Sequence, residues 1–161
     1  MADIGSEYKR KFLVVIDDSL EADRAVTFAA HRVKRTGGTV VLLSVIETED
    51  FQQFLGVEDV MRAEAREEAE RLLDKRIARI ARIGGVRTET VIREGRLFEE
   101  IERLVSEDSA IAILVLGASA SSEGPGPLVT AFVGRASGNS LPVLIAIVPA
   151  SMTDEQIVAI A

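Results

Sequence analysis

Cysteine and tryptophan are absent from this 161-residue chain, histidine occurs once, as His31, and aromatic residues reach only 4%. Without cysteine there are no disulfides, thiolate nucleophiles, iron–sulfur clusters or cysteine-built zinc sites, and a lone histidine provides no imidazole cluster for a transition metal. Long apolar runs are also missing. The longest, AIAILVL at 110–116 and VLIAIV at 143–148, fall far short of the roughly 20 residues that a membrane span requires. Positive charge is in deficit: 19 Lys and Arg face 26 Asp and Glu, a formal charge of −7. The overall field therefore repels a phosphate backbone, and nucleic acid is not an expected partner. Lysine disappears after Lys75, which excludes the GxxxxGK[ST] loop and Walker-type NTPase chemistry. The opening MADIGSEYKRK has no apolar segment of the kind that heads a secretory signal, so the expected location is the cytoplasm.

What is present is apolar material in short, regularly spaced blocks, 47% of the chain and ample for one core. KFLVVI (11–16) and VVLLSVI (40–46) are nearly unbroken apolar runs rich in β-branched residues, which predicts strands buried on both faces. Between them Ala22, Ala25, Val26, Ala29, Ala30 and Val33 recur at helical spacing over 20–35, and Gly37-Gly38 stop the helix. A loop carrying Phe51 and Phe54 precedes a long helix, whose expected inward stripe runs Val57, Val60, Met61, Ala65, Ala69, Leu72, Leu73, Ile77, Ile80, Ile83. A weakly alternating strand (87–92), a helix (97–105), the AIAILVL strand (110–116), a helix (128–137) and a last strand (143–148) follow. The pattern βαβαβαβαβ predicts an α/β fold: a five-stranded parallel sheet with helices on both faces, Rossmann-like, as one domain over 11–149. Residues 1–10 read as an extension. Residues 150–161 form a tail in which Thr153 to Gln156 opens a short helix with Ile157 and Ile160 on one face.

Ligands of open parallel sheets bind outside the carboxyl ends of the strands. The first strand delivers Asp17-Asp18-Ser19 there, and the fourth delivers Gly117 followed by ASASSEGPGP (118–127). The latter holds three Ser, two Gly and no bulky side chain ahead of a helix N-terminus, a composition that suits an anion cradle and equally suits a plain turn. No G-x-G-x-x-G follows the first strand, so a dinucleotide site has no support. Asp17 and Asp18 together suggest a Mg²⁺ or acid–base pair, but the spacing of Asp18 and Glu21 favours Asp18 as a helix cap. Asp17, at the tip of a central strand, faces the crevice, where ribose hydroxyls would donate to it. His31 has no triad partner and reads as a boundary residue. Phe51 and Phe54 either lid a pocket or staple their loop to the long helix.

Four segments taken together, FLVVIDDS (12–19), VVLLSVIE (40–47), AILVLGAS (112–119) and LPVLIAIVP (141–149), resemble the universal stress protein family over residues 11–149. The resemblance implies a homodimer paired through the last strands, here Val143 to Val148, and in one branch of the family an ATP site. It places Asp17 beside ribose or adenine, Val45 beside adenine, and the stretch from Leu116 and Gly117 at the phosphates. The family's loop reads Gly, two residues, Gly, nine residues, Gly, then Ser or Thr. Here Ala120 holds the second glycine position, and the later spacing Gly124 to Gly134 is followed by Arg135. The site expected from residues and resemblance together is Asp17, Asp18, Ser19, Val45, Leu116, Gly117, Ala118, Ser119, Ser121, Ser122, Gly124, Gly126, Leu128 and Thr130. Its expected ligand is ATP or another adenine nucleotide, with Mg²⁺ screening the phosphates.

The leading reading is a non-catalytic, adenine-nucleotide-binding stress-response dimer. Its alternative is a dimeric interaction module with a degenerate site, favoured by Ala120 and Arg135. A receiver-like domain fails, because the third strand ends in Ile92-Arg93-Glu94-Gly95 without an acceptor aspartate and the fifth offers no lysine. No activated nucleophile or positioned base can be named, so turnover is not expected.

Overall fold

The computed structural model describes residues 10–48, 56–135 and 141–161; Phe51, Phe54 and nearly all of the N-terminal extension lie outside them. The elements are β1 (Lys11–Val15), α1 (Leu20–Thr36), β2 (Thr39–Ile46), α2 (Glu58–Ile83), β3 (Arg87–Glu94), α3 (Leu97–Glu107), β4 (Ile111–Ala118), α4 (Pro127–Arg135), β5 (Leu144–Pro149) and α5 (Asp154–Ile160). All strand pairings are parallel, and the sheet order is β3-β2-β1-β4-β5, the architecture that the alternation predicted.

The chain winds outward from β1 to β3, then returns to the other side of β1. Because parallel crossovers are right-handed, reversing the direction of travel moves the connecting helices to the opposite face. Accordingly Ala25 of α1 and Leu72 of α2 share a core with Phe12, Val14, Val40 and Leu42. Ile101 of α3 and Phe132 of α4 share the other core with Leu13, Val15, Val41 and Leu43. Alternate residues of each central strand thus face different cores, so the strands read as unbroken apolar runs. Each such buried aliphatic side chain contributes roughly 1.5–3 kcal/mol. The two edges differ: β3 exposes Arg87 and Glu89, whereas β5 exposes Leu144 and Ile147. On the amino-terminal side of the sheet, Lys11 Nζ bridges Asp108 (2.8 Å) and Glu89 (3.0 Å), and the Asp108 bond raises the ammonium pKa above its ordinary value.

Three local expectations need correction. The cap of α1 is Ser19, not Asp18: the Ser19 hydroxyl accepts from the Ala22 amide (3.1 Å) because the helix begins one residue later than the Asp18 cap requires. In α2, Arg76 is buried at 1% exposure, while Val57, Val60 and Ile77 are exposed. At 100° per residue, Arg76 lies within about 20° of the centre of the Ala69, Leu72, Leu73, Ile80 stripe, Ile77 about 80° away and Val60 on the opposite side. An apolar count cannot select an arginine for that place. The ion pair that seats it, Nε to Asp23 Oδ1 at 3.0 Å, comes from α1, and Nη2 also donates to the Ser19 carbonyl (3.2 Å). In α5 the capping box at Thr153 is present and Ile157 is fully buried, but Ile160 is exposed and Ala161, four residues after Ile157, is buried instead. Asp154 ties α5 to Arg24 (2.6 Å) and Arg79 (3.3 Å). His31 is half-buried on α1, and burial lowers its pKa.

Breaking a buried pair strands the remaining charge. Arg76→Ala should therefore destabilise the fold by about 3 kcal/mol, the low end of the usual range since Asp23 keeps some solvent contact. Arg76→Met combined with Asp23→Asn should recover part of the loss. Urea denaturation checks both, and an unchanged midpoint for Arg76→Ala would show that the pair contributes nothing.

Candidate functional site

Where strand order reverses, the connections after β1 and β4 leave toward opposite faces and a crevice opens between them. A cavity of about 750 Å³ fills it.

Its first wall is the end of β1. Val15 is the last strand residue, and the chain turns at Asp17, whose Oδ1 accepts from both the Ser19 amide (2.9 Å) and the Ser19 hydroxyl (2.5 Å). The Asp17 side chain is thus held by the residue that caps α1. The second wall is β4, which runs two residues further than the apolar run suggested. Gly117 and Ala118 stay in the ladder, paired with Val148 and Pro149, because β5 continues alongside them. Position 117 admits only glycine: a Cβ there would collide with the Glu21 carbonyl and Cβ, since the first turn of α1 lies directly against the strand.

The loop after β4 is closed by its own bonds. The Ser119 amide donates to the Pro125 carbonyl (2.9 Å), the Ser121 amide to Ser119 Oγ (3.1 Å), the Glu123 amide to Ser121 Oγ (3.2 Å) and the Gly124 amide to the Ser121 carbonyl (3.2 Å). Gly124 and Gly126 hold φ of +115° and +106°, a region other residues occupy only under strain. Pro127 then opens α4, where its fixed φ is suited and no amide is lost. The amides of Leu128 and Val129 belong to the first turn, whose donors have no intrahelical acceptor, and they give the crevice a positive helix end beside those of α1 and α3. A third, apolar wall comes from Leu97 and Phe98 of α3. The Phe98 ring tilts against Phe132 at 5.5 Å, and the buried Glu100 of α3 accepts from Arg103 on the same helix (2.5 Å) and faces Arg93 of β3 at 3.9 Å.

Of the residues singled out from sequence, Asp17, Ser19, Leu116, Gly117, Ser119, Ser121, Gly124, Gly126, Leu128 and Thr130 line this cavity. Asp18, Val45, Ala118 and Ser122 do not. Asp18 is exposed within the field of Arg71, Val45 packs toward the α3–α4 core, Ala118 is buried in the sheet and Ser122 is exposed. Sequence reasoning missed Glu21, Leu97, Phe98 and Glu123. Leu97 was legible as the first inward residue of its helix, but its wall position follows only from α3 crossing to the α4 side.

Fold and crevice define a doubly wound α/β protein with a cavity at its topological switch point. The chain belongs to the universal stress protein family, whose sequence profile matches residues 9–134. No curated protein matches the sequence. Among solved structures, it is similar to the universal stress protein UspA from Lactobacillus plantarum, at 17% identity and TM-score 0.69, covering 88% of this chain and 98% of that one. A universal stress protein family protein from Arabidopsis thaliana with AMP bound aligns at 20% identity and TM-score 0.61, covering 91% and 94%. A universal stress protein in complex with cAMP aligns at 17% identity and TM-score 0.61, covering 88% and 98%. These likenesses establish the fold.

The contact at Gly117 predicts the effect of the smallest possible substitution. Gly117→Ala should destabilise by about 1–3 kcal/mol, the usual cost of overpacking. Thermal melting monitored by circular dichroism checks this, and an unchanged midpoint would show that α1 can retreat from β4 freely.

Proposed function

We propose that the chain binds an adenine nucleotide in the crevice between β1 and β4, without turning it over, and acts in stress response as a dimer joined along β5. The observation that carries the reading is the 750 Å³ cavity itself. It has an apolar wall for a base, the Asp17 carboxylate at the tip of a central strand for ribose, and the amino end of α4 opposite. The AMP and cAMP complexes named above belong to proteins of the same fold, which supports this ligand class. Within it, Asp17 accepts a ribose hydroxyl, the apolar wall receives adenine, and the free first-turn amides of α4 with the Thr130 hydroxyl meet the 5′ side. ATP is one member of the class, and Mg²⁺ would screen its phosphates. A reaction has no named agent: the hydroxyl–carboxylate pair on the cavity wall, Ser19 with Asp17, is taken up in the cap of α1, where the Ser19 hydroxyl also accepts from the Ala22 amide. The setting we infer is the cytoplasm, in keeping with the finding that no helix among the described residues is long and apolar enough to cross a membrane. The second reading, an interaction module with a degenerate site, is favoured by one observation: four amides of the β4–α4 loop are taken up within the loop.

Titration calorimetry with AMP, ADP and ATP separates the two. Asp17→Ala should weaken AMP binding by roughly 10- to 150-fold, the loss expected for a hydrogen bond to a charged group. Asp17→Asn, which keeps an oxygen for Ser19, shows whether the turn rather than the charge is responsible. No heat with any nucleotide at millimolar concentration would leave the interaction module standing.

Assembly follows from the edge. β5 carries no charged residue and exposes Leu144 at 71%, and an unpaired apolar edge strand is an association surface. Two-fold pairing of β5 with a second copy makes an isologous contact. Light scattering should give twice the 17.4 kDa chain mass, and Leu144→Lys should return it to one chain. A wild-type monomer at micromolar concentration would refute the pairing.

A further inference from the structure

We propose that the crevice selects adenosine derivatives whose 5′ substituent carries little or no negative charge, and disfavours metal-free triphosphates. This inference rests on the adenine-nucleotide reading above and concerns the charge of the ligand that the same site takes.

Among the described residues, the cavity is lined by three carboxylates, Asp17, Glu21 and Glu123, and by no lysine or arginine. None of the three takes part in an ion pair among the described residues, so their charges are not neutralised locally. Neighbouring cations are committed elsewhere. Arg76 sits beneath the Ser19 carbonyl, 1% exposed and paired with Asp23. Arg96 precedes the Leu97 wall but reaches Glu99 at 3.7 Å. Residues 49–55 (EDFQQFL) and 136–140 (ASGNS) contain no Lys or Arg, and beyond Arg103 the only basic residue is Arg135, about 12 Å along α4 from its amino end. Arg10 precedes β1, at the opposite end of the strands.

A cationless site can still hold phosphates on backbone amides, as phosphate loops do. Here that resource is partly used up, and of the loop's amides those of Ala120, Ser122 and Gly126 stay outside its internal bonds. The amides of Ser119, Ser121, Glu123 and Gly124 bond within the loop, and Pro125 and Pro127 have none. Three helix amino ends meet the cavity, each worth about half an elementary charge, but the first turns of α1 and α3 carry carboxylates of their own, Glu21 with Asp23 and Glu99 with Glu100, so only α4 offers its end without one. Each phosphate added at the 5′ position therefore meets an unfavourable local field, on top of the −7 of the whole chain. Base and ribose meet no such penalty, because the apolar wall and the Asp17 carboxylate serve uncharged groups. A divalent cation would reverse the balance by adding charge of its own.

Titration calorimetry with adenosine, 5′-amino-5′-deoxyadenosine, AMP, ADP and ATP, in EDTA at low salt, tests this. Affinity should fall roughly threefold or more with each phosphate, the cationic amine should bind at least as tightly as adenosine, and 0.5 M salt should compress the series. Repeating it with Mg²⁺ should make the decline shallower. The double variant Glu21→Gln/Glu123→Gln should narrow the adenosine-to-ATP ratio in EDTA by about threefold or more. Metal-free ATP binding as tightly as adenosine, or a ratio unmoved by the double variant, would overturn the charge selection and leave the adenine-nucleotide reading standing. Absence of binding by all five ligands would overturn both.

Discussion

The crevice depends on how closely α1 can approach β4, and that distance is set at Gly117. Because no side chain stands between them, the first turn of α1 lies against the strand and Glu21 is brought to the cavity wall. The same approach places the Ser19 cap over β1, and the cap in turn holds Asp17 through two hydrogen bonds. Arg76 supports this arrangement from below, gripping the Ser19 carbonyl and Asp23 from α2. One contact without a side chain and one buried guanidinium therefore determine where Asp17 and Glu21 stand.

The electrostatics of that site differ from those of a phosphate loop. A phosphate loop offers lysine and unsatisfied amides, whereas this loop bonds four of its amides internally and brings Glu123 instead. The Ala120 departure from the family's glycine pattern marks the same place in the chain. A loop that bonds its own donors is better ordered and less able to wrap an anion, since each amide has one hydrogen to give.

Read without coordinates, the chain already specifies its layers. Buried parallel strands require unbroken apolar runs, amphipathic helices require 3.6-residue spacing, and both patterns stand in the sequence of β1, β2, β4 and α1, so sheet and helix order were legible. Asp17 was legible as well, because a carboxylate closing a central strand can only emerge at the carboxyl edge. The capping box at Thr153 needed nothing beyond local spacing.

Tertiary structure alone decided the rest. Arg76 takes a core position because Asp23 on another helix neutralises it, and no periodicity of apolar residues contains that information. Ile160 faces solvent and Ala161 packs because α5 lies on α1 at an angle that the tail itself does not encode. β4 extends through Gly117 and Ala118 because β5 continues to pair with it. The acidic character of the cavity, finally, comes from Asp17, Glu21 and Glu123, over 100 residues apart in sequence at the extremes and gathered only when β4 inserts beside β1. Local sequence fixes which elements form, through hydrogen bonding and apolar spacing over a few residues. Which charges meet at one site is a property of the long-range crossover, where pairing between distant strands sets the distances.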